Sequence, residues 1–463
     1  MGLRTQILIV MAAAMLCGAA PAVAEQTPAP APVAPMIATS NFSSTPAVDA
    51  YYAARANAPI WFRDPSSLAA AKLLPAILER APLDGLDNGP DLARQVDAAL
   101  AHVQAAAPST KPATFLAEDK LLSAAWVQYV RALKAPVPGI TYGDPALAPK
   151  IPTPEYILFD AGRAPSLLQH IQAVASVNPI YARLRDAAWR QVQAGGGLAP
   201  DPRLLTNLVR ARVLPATGRY IVVNAATAQL AMYEDGRQVD TMKVVVGKPA
   251  TPTPMLAGTI HYATFNPYWN IPPDTARAEV APLVVKRGTA YLRAARYEVA
   301  SDWTERATIV APDTIDWKAV VAGTTEVHIR QLPGPDNMMG AIKFGFANEL
   351  GIFLHDTPRK ELFAKMERNY SHGCVRVEDA MRLGRWLLGS EPVAPSADPE
   401  QFVRLAKGVP VYITYLTAQQ DADGGQLTFA DDIYGRDPKA DAGLAAVKLA
   451  TAPTSANPSA QPN

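Results

Sequence analysis

The chain has 463 residues, of which 49% are hydrophobic and 18% are charged. This composition supplies enough apolar material for folded cores and excludes a globally disordered protein. Because 43 Lys and Arg residues face 42 Asp and Glu residues, the net charge is +1, and no basic excess is available to bind a nucleic acid. At roughly 150 residues per domain, the length predicts two or three domains.

The first 24 residues have the pattern of a secretory signal peptide. Arg4 provides the positive start, Ile7–Leu16 is a short apolar run, and residues 22–24 (Ala-Val-Ala) form a small-x-small cleavage site. The apolar run is shorter than the ~20 residues of a membrane-spanning helix. An uncleaved anchor and lipidation of Cys17 are the alternatives. We expect cleavage after Ala24, a periplasmic mature chain, and no stable membrane insertion.

Two segments have the composition of chain that builds no core. Residues 25–42 are rich in Pro and Ala, which predicts an extended linker. Residues 438–463 are rich in Ala, Pro and Ser, which predicts a disordered tail. The folded part is therefore expected between these two segments.

Residues 43–215 have a helical pattern. The apolar residues Leu92, Val96, Ala99, Leu100 and Val103 recur at helical spacing, as does a second set between residues 122 and 133. Such one-sided apolar stripes are typical of helices that pack against a core. We predict an all-helical scaffold domain, and its sequence contains no motif that indicates chemistry.

From residue 216 the pattern changes to short β-like runs separated by Gly and Pro turns. These runs predict a mainly β domain over 216–418, followed by a C-terminal extension over 419–437 that packs on it. Residues 267–315 interrupt the β pattern with prolines and a helical stretch, which predicts an inserted lid, with a simple helical crossover as the alternative. The fold class is therefore α+β.

Cysteine usage points to one residue. The chain has two cysteines, and loss of the signal peptide leaves Cys374, which cannot form an internal disulfide. It lies in the run Ser371-His372-Gly373-Cys374, just before a predicted helix at 377–389. A thiol beside a His and a helix N-terminus is expected to have a lowered pKa, and Gly373 leaves backbone N–H groups free for an oxyanion hole. An inert buried thiol is the alternative.

A cysteine nucleophile needs a base within hydrogen-bond reach. His372 and His355 are the candidates, and the sequence favours His355 only slightly. A serine acyl-enzyme is not indicated because Ser-x-x-Lys and Gly-x-Ser-x-Gly are absent from the sequence. The six histidines contain no His-x-x-x-His pair, which argues against a closed zinc site. We expect no metal and no organic cofactor.

The spacing of His355 and the run Ser371–Arg376 resembles the signature of L,D-transpeptidases of the YkuD type. Further segments resemble the large, scaffold-bearing (YcbB-like) subgroup: residues 266–273, 332–337, 343–344, 354–358 and 432–437, and more loosely residues 51–62 and 81–87. The resemblance covers about residues 45–437. A separate peptidoglycan-binding repeat, which some large members have, is not recognisable in the sequence.

The resemblance implies a reaction on peptidoglycan stem peptides. Cys374 is expected to attack the carbonyl of an L-centre, usually diaminopimelate at position 3, and to form a thioester that an amine of a second stem resolves. His355 corresponds to the general base, His372 to a supporting histidine, and the N–H groups of Gly373 and Cys374 to the oxyanion hole. The expected product is a 3-3 or a 1-3 cross-link, which would give the protein roles in cell-wall organisation and cell shape. Carbapenems are expected to inhibit the enzyme.

Five residues are predicted to contact substrate. Arg376 has the planar guanidinium that suits a substrate carboxylate. Ser371 is expected to lie at the substrate site and to hold its own loop by hydrogen bonds. The remaining members of this set are Lys343, Asn337 and Trp269.

The sequence departs from the subgroup at two positions. Phe353 stands at a position where members of the subgroup often have Tyr, so any role of a hydroxyl group at this position is lost or has moved to another residue. Asp356 follows His355 where smaller relatives often have Gly or Ser, and a backbone carbonyl orients the His in those relatives. Three alternative functions stay open: an L,D-carboxypeptidase or endopeptidase using the same thioester, attachment of an envelope protein to peptidoglycan, and a non-catalytic wall-binding protein.

Overall fold

The computed structural model describes residues 44–107, 111–196, 200–304, 306–420 and 426–439. The predicted signal peptide, the Pro/Ala linker and the tail beyond residue 439 lie outside these ranges. Within the ranges, no helix combines the length and the apolar character that crossing a membrane requires.

The N-terminal half is helical, and polar side chains cap the starts of most of its helices. Asp64, for example, accepts a hydrogen bond from the Ser67 N–H, and a proline occupies the first turn, where its missing N–H costs nothing. The helices are α1 (Pro46–Ala53), α2 (Pro65–Glu79), α3 (Gly89–Ala105), α4 (Lys111–Leu133), α5 (Pro154–Arg163), α6 (Leu167–Ser176), α7 (Pro179–Ala194) and α8 (Pro202–Ala211), with short 3-10 turns at Ala81–Asp84 and Pro145–Leu147.

Two buried carboxylates tie the helices together. Asp119 of α4 accepts the backbone N–H groups of Ile60 and Trp61 at 2.8 and 2.9 Å. Asp84 accepts the hydroxyl groups of Tyr129 and Tyr181 at 2.8 and 2.5 Å. Each carboxylate is fully buried and hydrogen-bonded, which is the condition under which a buried polar group is tolerated. These networks stabilise the scaffold half.

The C-terminal half is built on a sheet whose strands pair in the order β1-β5-β13-β2-β3-β4-β12-β10-β9, with β11 beside β4. Because β9 also pairs with β5, the sheet closes on itself. The strands of this sheet are β1 (Thr141–Tyr142), β2 (Arg219–Asn224), β3 (Gln229–Glu234), β4 (Arg237–Gly247), β5 (Leu256–Phe265), β9 (Ile342–Phe346), β10 (Leu354–His355), β11 (Asn369–Ser371), β12 (Val375–Val377) and β13 (Gln401–Thr414).

The helical half followed by a mainly β half confirms the α+β class, with one difference. Thr141–Tyr142 lies inside the segment predicted to be all-helical, yet it forms β1 and pairs with Leu256–Ala257 of β5. The side chain of Asp144 also accepts the Thr259 hydroxyl at 2.5 Å. A two-residue strand has no hydrophobic period to read, so only its pairing reveals it.

The core of the β half lies between the sheet and one helix. Phe344, Leu354 and Val375 are fully buried in it. The helix α13 (Ala380–Leu388) adds Leu383 and Leu387 and is capped by the Asp379 side chain. The helix therefore begins three residues after the predicted start at 377, because Val377 belongs to β12 and residues 378–379 form the turn that leads into the helix.

Residues from Trp269 to Gln331 form a unit with its own three-stranded sheet and its own apolar core, built around Ile271, Val284 and Ile329. We call this unit the lid; it continues past the predicted end at 315. Its elements are β6 (Trp269–Ile271), α9 (Pro273–Thr275), a π-helical turn (Ala276–Val280), α10 (Ala281–Arg287), α11 (Ala290–Ala294), β7 (Tyr297–Ala300), a 3-10 turn (Pro312–Thr314), α12 (Trp317–Ala322) and β8 (His328–Gln331).

The last described segment, residues 426–439, packs against both halves, and we call it the C-terminal strap. Its strand β15 (Thr428–Phe429) pairs with β14 (Ala418–Gln419). Asp437 of the strap accepts a charged hydrogen bond from Arg210 of α8 at 2.6 Å, and both side chains are almost completely buried. The strap thereby connects the scaffold half to the β half.

Candidate active site

Three strand ends assemble the site. His355 of β10 is in register with Arg376 of β12 on one side and with Lys343 of β9 on the other. Residues in register point to the same face of a sheet, so the imidazole and the two cations share one face. Cys374 directly precedes β12, and the Val375 N–H bonds the carbonyl of Phe353 at 2.9 Å. This pairing brings the thiol beside the start of β10.

The Cys374 thiol lies in a desolvated position. Its Sγ is 3.5 Å from the carbonyl oxygen of Gly351. Burial raises the pKa of Cys374, and the Phe353 backbone N–H together with the cations of Arg376 and Lys343 only partly opposes that rise. The expectation of a lowered thiol pKa is therefore wrong for this state. The helix that was to lower it begins at Ala380, with a strand in between.

His355 is held as a neutral ring. It is 4% exposed, and its Nδ1 lies 2.6 Å from the carbonyl oxygen of Asp356. A carbonyl oxygen only accepts, so Nδ1 must be protonated and Nε2 is the free acceptor. Burial lowers the pKa of His355 to about 3, and the nearby Arg376 cation adds to the effect. A backbone carbonyl therefore orients the ring, independently of the Asp356 side chain.

His372 faces a different set of groups. Its Nε2 lies 3.0 Å from Lys248 Nζ and 3.6 Å from Glu279 Oε1 of the lid. An ammonium group only donates, so Nε2 is the acceptor of that bond. Burial and the Lys248 cation lower the pKa of His372. With this nitrogen occupied, the geometry favours His355 over His372 as the base for Cys374.

Ser371 organises the loop that contains the thiol. Its hydroxyl donates to the Cys374 carbonyl at 2.6 Å and accepts the Gly373 N–H at 3.1 Å. Gly373 has φ +123°, a conformation open only to glycine. The Gly373 N–H, predicted as an oxyanion donor, is thus already engaged. The Cys374 N–H has no acceptor within the part of the chain that the structure describes, which makes it the better candidate.

Arg376 is the predicted substrate contact with an unused donor. Its Nε is buried and lacks a hydrogen-bond partner among the described residues. Burial lowers the pKa of Arg376. A desolvated, unpaired guanidinium is costly, and a carboxylate is the group whose geometry it matches.

The other predicted substrate contacts have partners inside the protein. Lys343 Nζ is 3.2 Å from the Glu400 carboxylate and lies 5.8 Å from the ring centre of Phe353. Trp269 packs on the lid core, with its ring centre 6.5 Å from that of Tyr297.

Asn337 requires a correction. It is 1% exposed, its Nδ2 donates to the carbonyls of Pro267, Gln331 and Leu332, and its Oδ1 accepts the Met339 N–H. Every polar atom of the side chain is satisfied by backbone groups, three of them nearby in the chain and one at Pro267, before the lid. Asn337 therefore organises the loop between the lid and β9 and presents no polar group to a substrate.

The structure adds residues that sequence reasoning missed. Lys248 binds His372, and Thr253 Oγ1 donates to the Gly373 carbonyl at 2.7 Å. Neither Lys248 nor Thr253 lies in a recognisable motif. Each contacts a residue more than 100 positions away in the chain, and such a contact leaves no local pattern in the sequence. Tyr434 donates to the Gly247 carbonyl at 2.6 Å, and the resemblance of residues 432–437 to the scaffold-bearing subgroup was the one signal that singled out its segment.

Comparisons with known proteins agree with this organisation. Residues 218–413 match the YkuD family, described as an L,D-transpeptidase catalytic domain, and residues 46–187 match the family described as a scaffold domain. A curated Haemophilus influenzae protein named "Putative L,D-transpeptidase" is 27% identical over 278 residues, which are 58% of this chain and 55% of that protein. The chain thus spans about half the length of this relative.

Solved structures of L,D-transpeptidases are also similar over part of the chain. One from Mycobacterium smegmatis is 13% identical, with 43% of this chain and 59% of that chain covered and a TM-score of 0.22. One from Xylanimonas cellulosilytica is 13% identical, with 50% and 79% covered and a TM-score of 0.18. TM-scores this low do not establish a common fold. The family of the catalytic domain is therefore identified from the two domain families and the curated relative. The chain therefore contains a YkuD-type L,D-transpeptidase catalytic domain at residues 218–413, preceded by a scaffold domain at residues 46–187.

Proposed function

We propose that the chain is a periplasmic peptidoglycan L,D-transpeptidase in which Cys374 carries the acyl group. One observation supports this most directly. His355 has Nδ1 bound to the Asp356 carbonyl, and its Nε2 has no partner within the described part of the chain; its strand pairs with the strand that begins just after the thiol. A nucleophile, a base and a group that orients the base are the elements of covalent acyl transfer.

The first half of the reaction releases the terminal D-residue. Cys374 Sγ attacks the carbonyl carbon of the L-centre, and the thiol proton passes to Nε2 of His355. The tetrahedral oxyanion forms opposite the Cys374 N–H. The peptide C–N bond then breaks, and the leaving amine takes the proton from His355. The product is a thioester between Cys374 and the stem peptide.

The second half transfers the acyl group. The side-chain amine of a second stem attacks the thioester carbonyl and gives a proton to His355. The C–S bond breaks, and the thiolate regains the proton. The donor carbonyl is proposed to be that of diaminopimelate at position 3, which gives a 3-3 link; position 1 would give a 1-3 link. Both offer the same local stereochemistry at the carbonyl.

The resting pair is proposed to be a neutral thiol and a neutral imidazole. Burial raises the pKa of Cys374 and lowers that of His355, so neither carries charge at neutral pH. Proton transfer is therefore coupled to the attack on the carbonyl. A substrate carboxylate on Arg376 would offset one of the cations that depress the His355 pKa. Binding of the correct substrate would thus strengthen the base.

The test compares the purified protein with its Cys374→Ala variant on peptidoglycan, with products separated by liquid chromatography and located by fragmentation in a mass spectrometer. New dimers made only by the unmodified protein support transfer and identify the bond. Shortened monomers alone would replace transfer by hydrolysis on the same thioester. Equal products from both proteins would remove Cys374 as the nucleophile, and a protein linked to the glycan would indicate attachment.

A further inference from the structure

Thr253 lies in the loop after β4, is fully buried, and uses all of its polar groups. Its hydroxyl accepts the Gly247 N–H at 2.8 Å, which leaves its own proton to donate to the Gly373 carbonyl at 2.7 Å. Its N–H donates to Tyr434 Oη at 3.3 Å, and its carbonyl accepts from Arg436 Nη2 at 3.1 Å. Thr253 therefore joins β4, the thiol loop and the C-terminal strap.

The hydrogen bond from Thr253 to the Gly373 carbonyl fixes the direction in which the Cys374 N–H points. The Gly373 carbonyl and the Cys374 N–H belong to one planar trans peptide, so they point in opposite directions. A hydrogen bond that holds the carbonyl also holds the N–H. Glycine at φ +123° contributes little intrinsic preference for this orientation, so the orientation depends on its partners.

The strap in turn holds Thr253. Tyr434 and Arg436 contact it directly, and their side chains stack, with the guanidinium carbon 4.8 Å from the ring centre. Asp432 accepts the backbone N–H groups of Arg436 and Asp437 at 2.9 and 2.8 Å. Arg210 of the scaffold half binds Asp437 at 2.6 Å. A continuous set of hydrogen bonds, most of them partly buried, thus runs from the scaffold half to the thiol loop.

We propose that Thr253, held by the C-terminal strap, is a positioning residue that aims the Cys374 N–H at the oxyanion formed during acyl transfer. The inference rests on the proposed function, because only a carbonyl substrate generates that oxyanion. On this proposal the strap, which α8 holds through Arg210, also affects the reaction, because Tyr434 and Arg436 hold Thr253 in place. Thr253 itself touches neither the substrate nor the thiol.

The experiment uses two reagents for Cys374 on the full-length protein. A carbapenem such as imipenem acylates the thiol through an oxyanion, whereas iodoacetamide alkylates it by displacement at a saturated carbon and forms none. Thr253→Val removes the hydroxyl at nearly constant volume and is expected to slow acylation at least about tenfold, since loss of an oxyanion donor costs ~10²–10³. Alkylation is expected to stay within about twofold, because the thiol itself is unchanged.

Controls separate positioning from folding. Thr253→Ser keeps the hydroxyl and is expected to restore acylation. Thr414→Val removes a buried hydroxyl that has no hydrogen-bond partner among the described residues, and it is expected to acylate like the unmodified protein. Tyr434→Phe is expected to slow acylation less than Thr253→Val, with KM for stem peptides unchanged and kcat lowered in both.

The outcomes distinguish the two proposals. Equal acylation of the unmodified protein and Thr253→Val overturns the positioning role and leaves the proposed function intact. Parallel loss of acylation and alkylation in Thr253→Val, without rescue by Thr253→Ser, also overturns it, since that result indicates a disturbed fold. An unmodified protein that iodoacetamide labels at Cys374 but that neither imipenem nor stem peptides acylate overturns the proposed function itself.

Discussion

Lys248 donates from its ammonium group to Nε2 of His372 across 3.0 Å. The histidine two residues before the thiol is therefore bound to the loop after β4, and it also lies 3.6 Å from Glu279 of the lid. His355 shares the face of Arg376, and its Nε2 has no hydrogen-bond partner among the residues that the structure describes. These contacts differ between the two histidines: His372 joins the thiol loop to the lid, whereas His355 is the ring that the proposed function uses for proton transfer.

The first prediction separates the two histidines. His355→Gln is expected to lower the acylation rate by ~10²–10⁴, the usual contribution of a general base. His372→Gln keeps an acceptor for Lys248 and is expected to lower the rate by less than about tenfold. Rates of Cys374 acylation measured by mass spectrometry provide the test. A larger loss in His372→Gln than in His355→Gln would reverse the assignment.

Asp356→Asn serves as the matched control for His355. The Asp356 side chain bonds Lys360 at 2.7 Å and the Ala341 N–H at 2.9 Å, while the backbone carbonyl holds His355. Since the substitution leaves that carbonyl in place, acylation is expected to stay within a few-fold of the unmodified rate.

The sequence predicted the order of the domains, but it did not predict the contacts that hold the residues of the site. The spacing of His355 and Cys374 is local enough to read, and helical periodicity predicted the scaffold half. The contact between Thr253 and Tyr434 joins residues 181 positions apart, and nothing in either neighbourhood encodes the other. The raised thiol pKa was missed for a related reason, because desolvation depends on the whole packed sheet and not on neighbouring residues.

Asn337 shows the opposite error. Asn337 lies in the segment 332–337 that resembles the scaffold-bearing subgroup and was predicted to contact substrate, whereas in the structure its amide closes that loop. Sequence cannot distinguish the two roles, because both require an amide side chain beside a turn. Only the direction of the side chain and its three carbonyl acceptors decide between them.

The second prediction concerns the pH dependence of the thiol. Burial raises the pKa of Cys374 above its ordinary value of 9.0, and the imidazole with a pKa of about 3 carries no charge to stabilise a thiolate. The rate of alkylation by iodoacetamide is therefore expected to be low from pH 5 to 8 and to rise only in more alkaline solution. A plateau beginning near pH 6 would indicate a thiolate–imidazolium pair and contradict the neutral resting state.

The same pKa shift makes a third prediction, about stability. Between pH 6.5, the ordinary pKa of His, and pH 3, the unfolded chain binds a proton at His355 that the folded chain does not. The free energy of unfolding therefore decreases as the pH falls through this window. Urea unfolding at pH 7 and pH 4 should show a smaller decrease in His355→Gln than in the unmodified protein. Equal decreases in both would place the folded-state pKa of His355 near its ordinary value.

A fourth prediction tests Arg376 as the carboxylate contact. Arg376→Gln removes the desolvated cation, so KM for a stem peptide with a free carboxylate is expected to rise about tenfold or more, in line with ~1.5–3 kcal/mol for a charged hydrogen bond. A substrate with that carboxylate amidated should bind both proteins equally. A rise in KM for the amidated substrate as well would mean that Arg376 supports the site without contacting the carboxylate.

The last prediction concerns Asn337 as a loop-organising residue. Asn337→Ala leaves three carbonyls and the Met339 N–H without their partner in a buried position. The expected loss in the free energy of unfolding is about 1–3 kcal/mol, measured by urea unfolding. The neighbouring exposed Asp336 supplies the control, since Asp336→Ala removes no buried bond and should leave stability unchanged. Below the unfolding transition, KM of Asn337→Ala is expected to equal that of the unmodified protein, because no polar atom of the side chain is free for substrate. A raised KM with unchanged stability would return Asn337 to the substrate contacts.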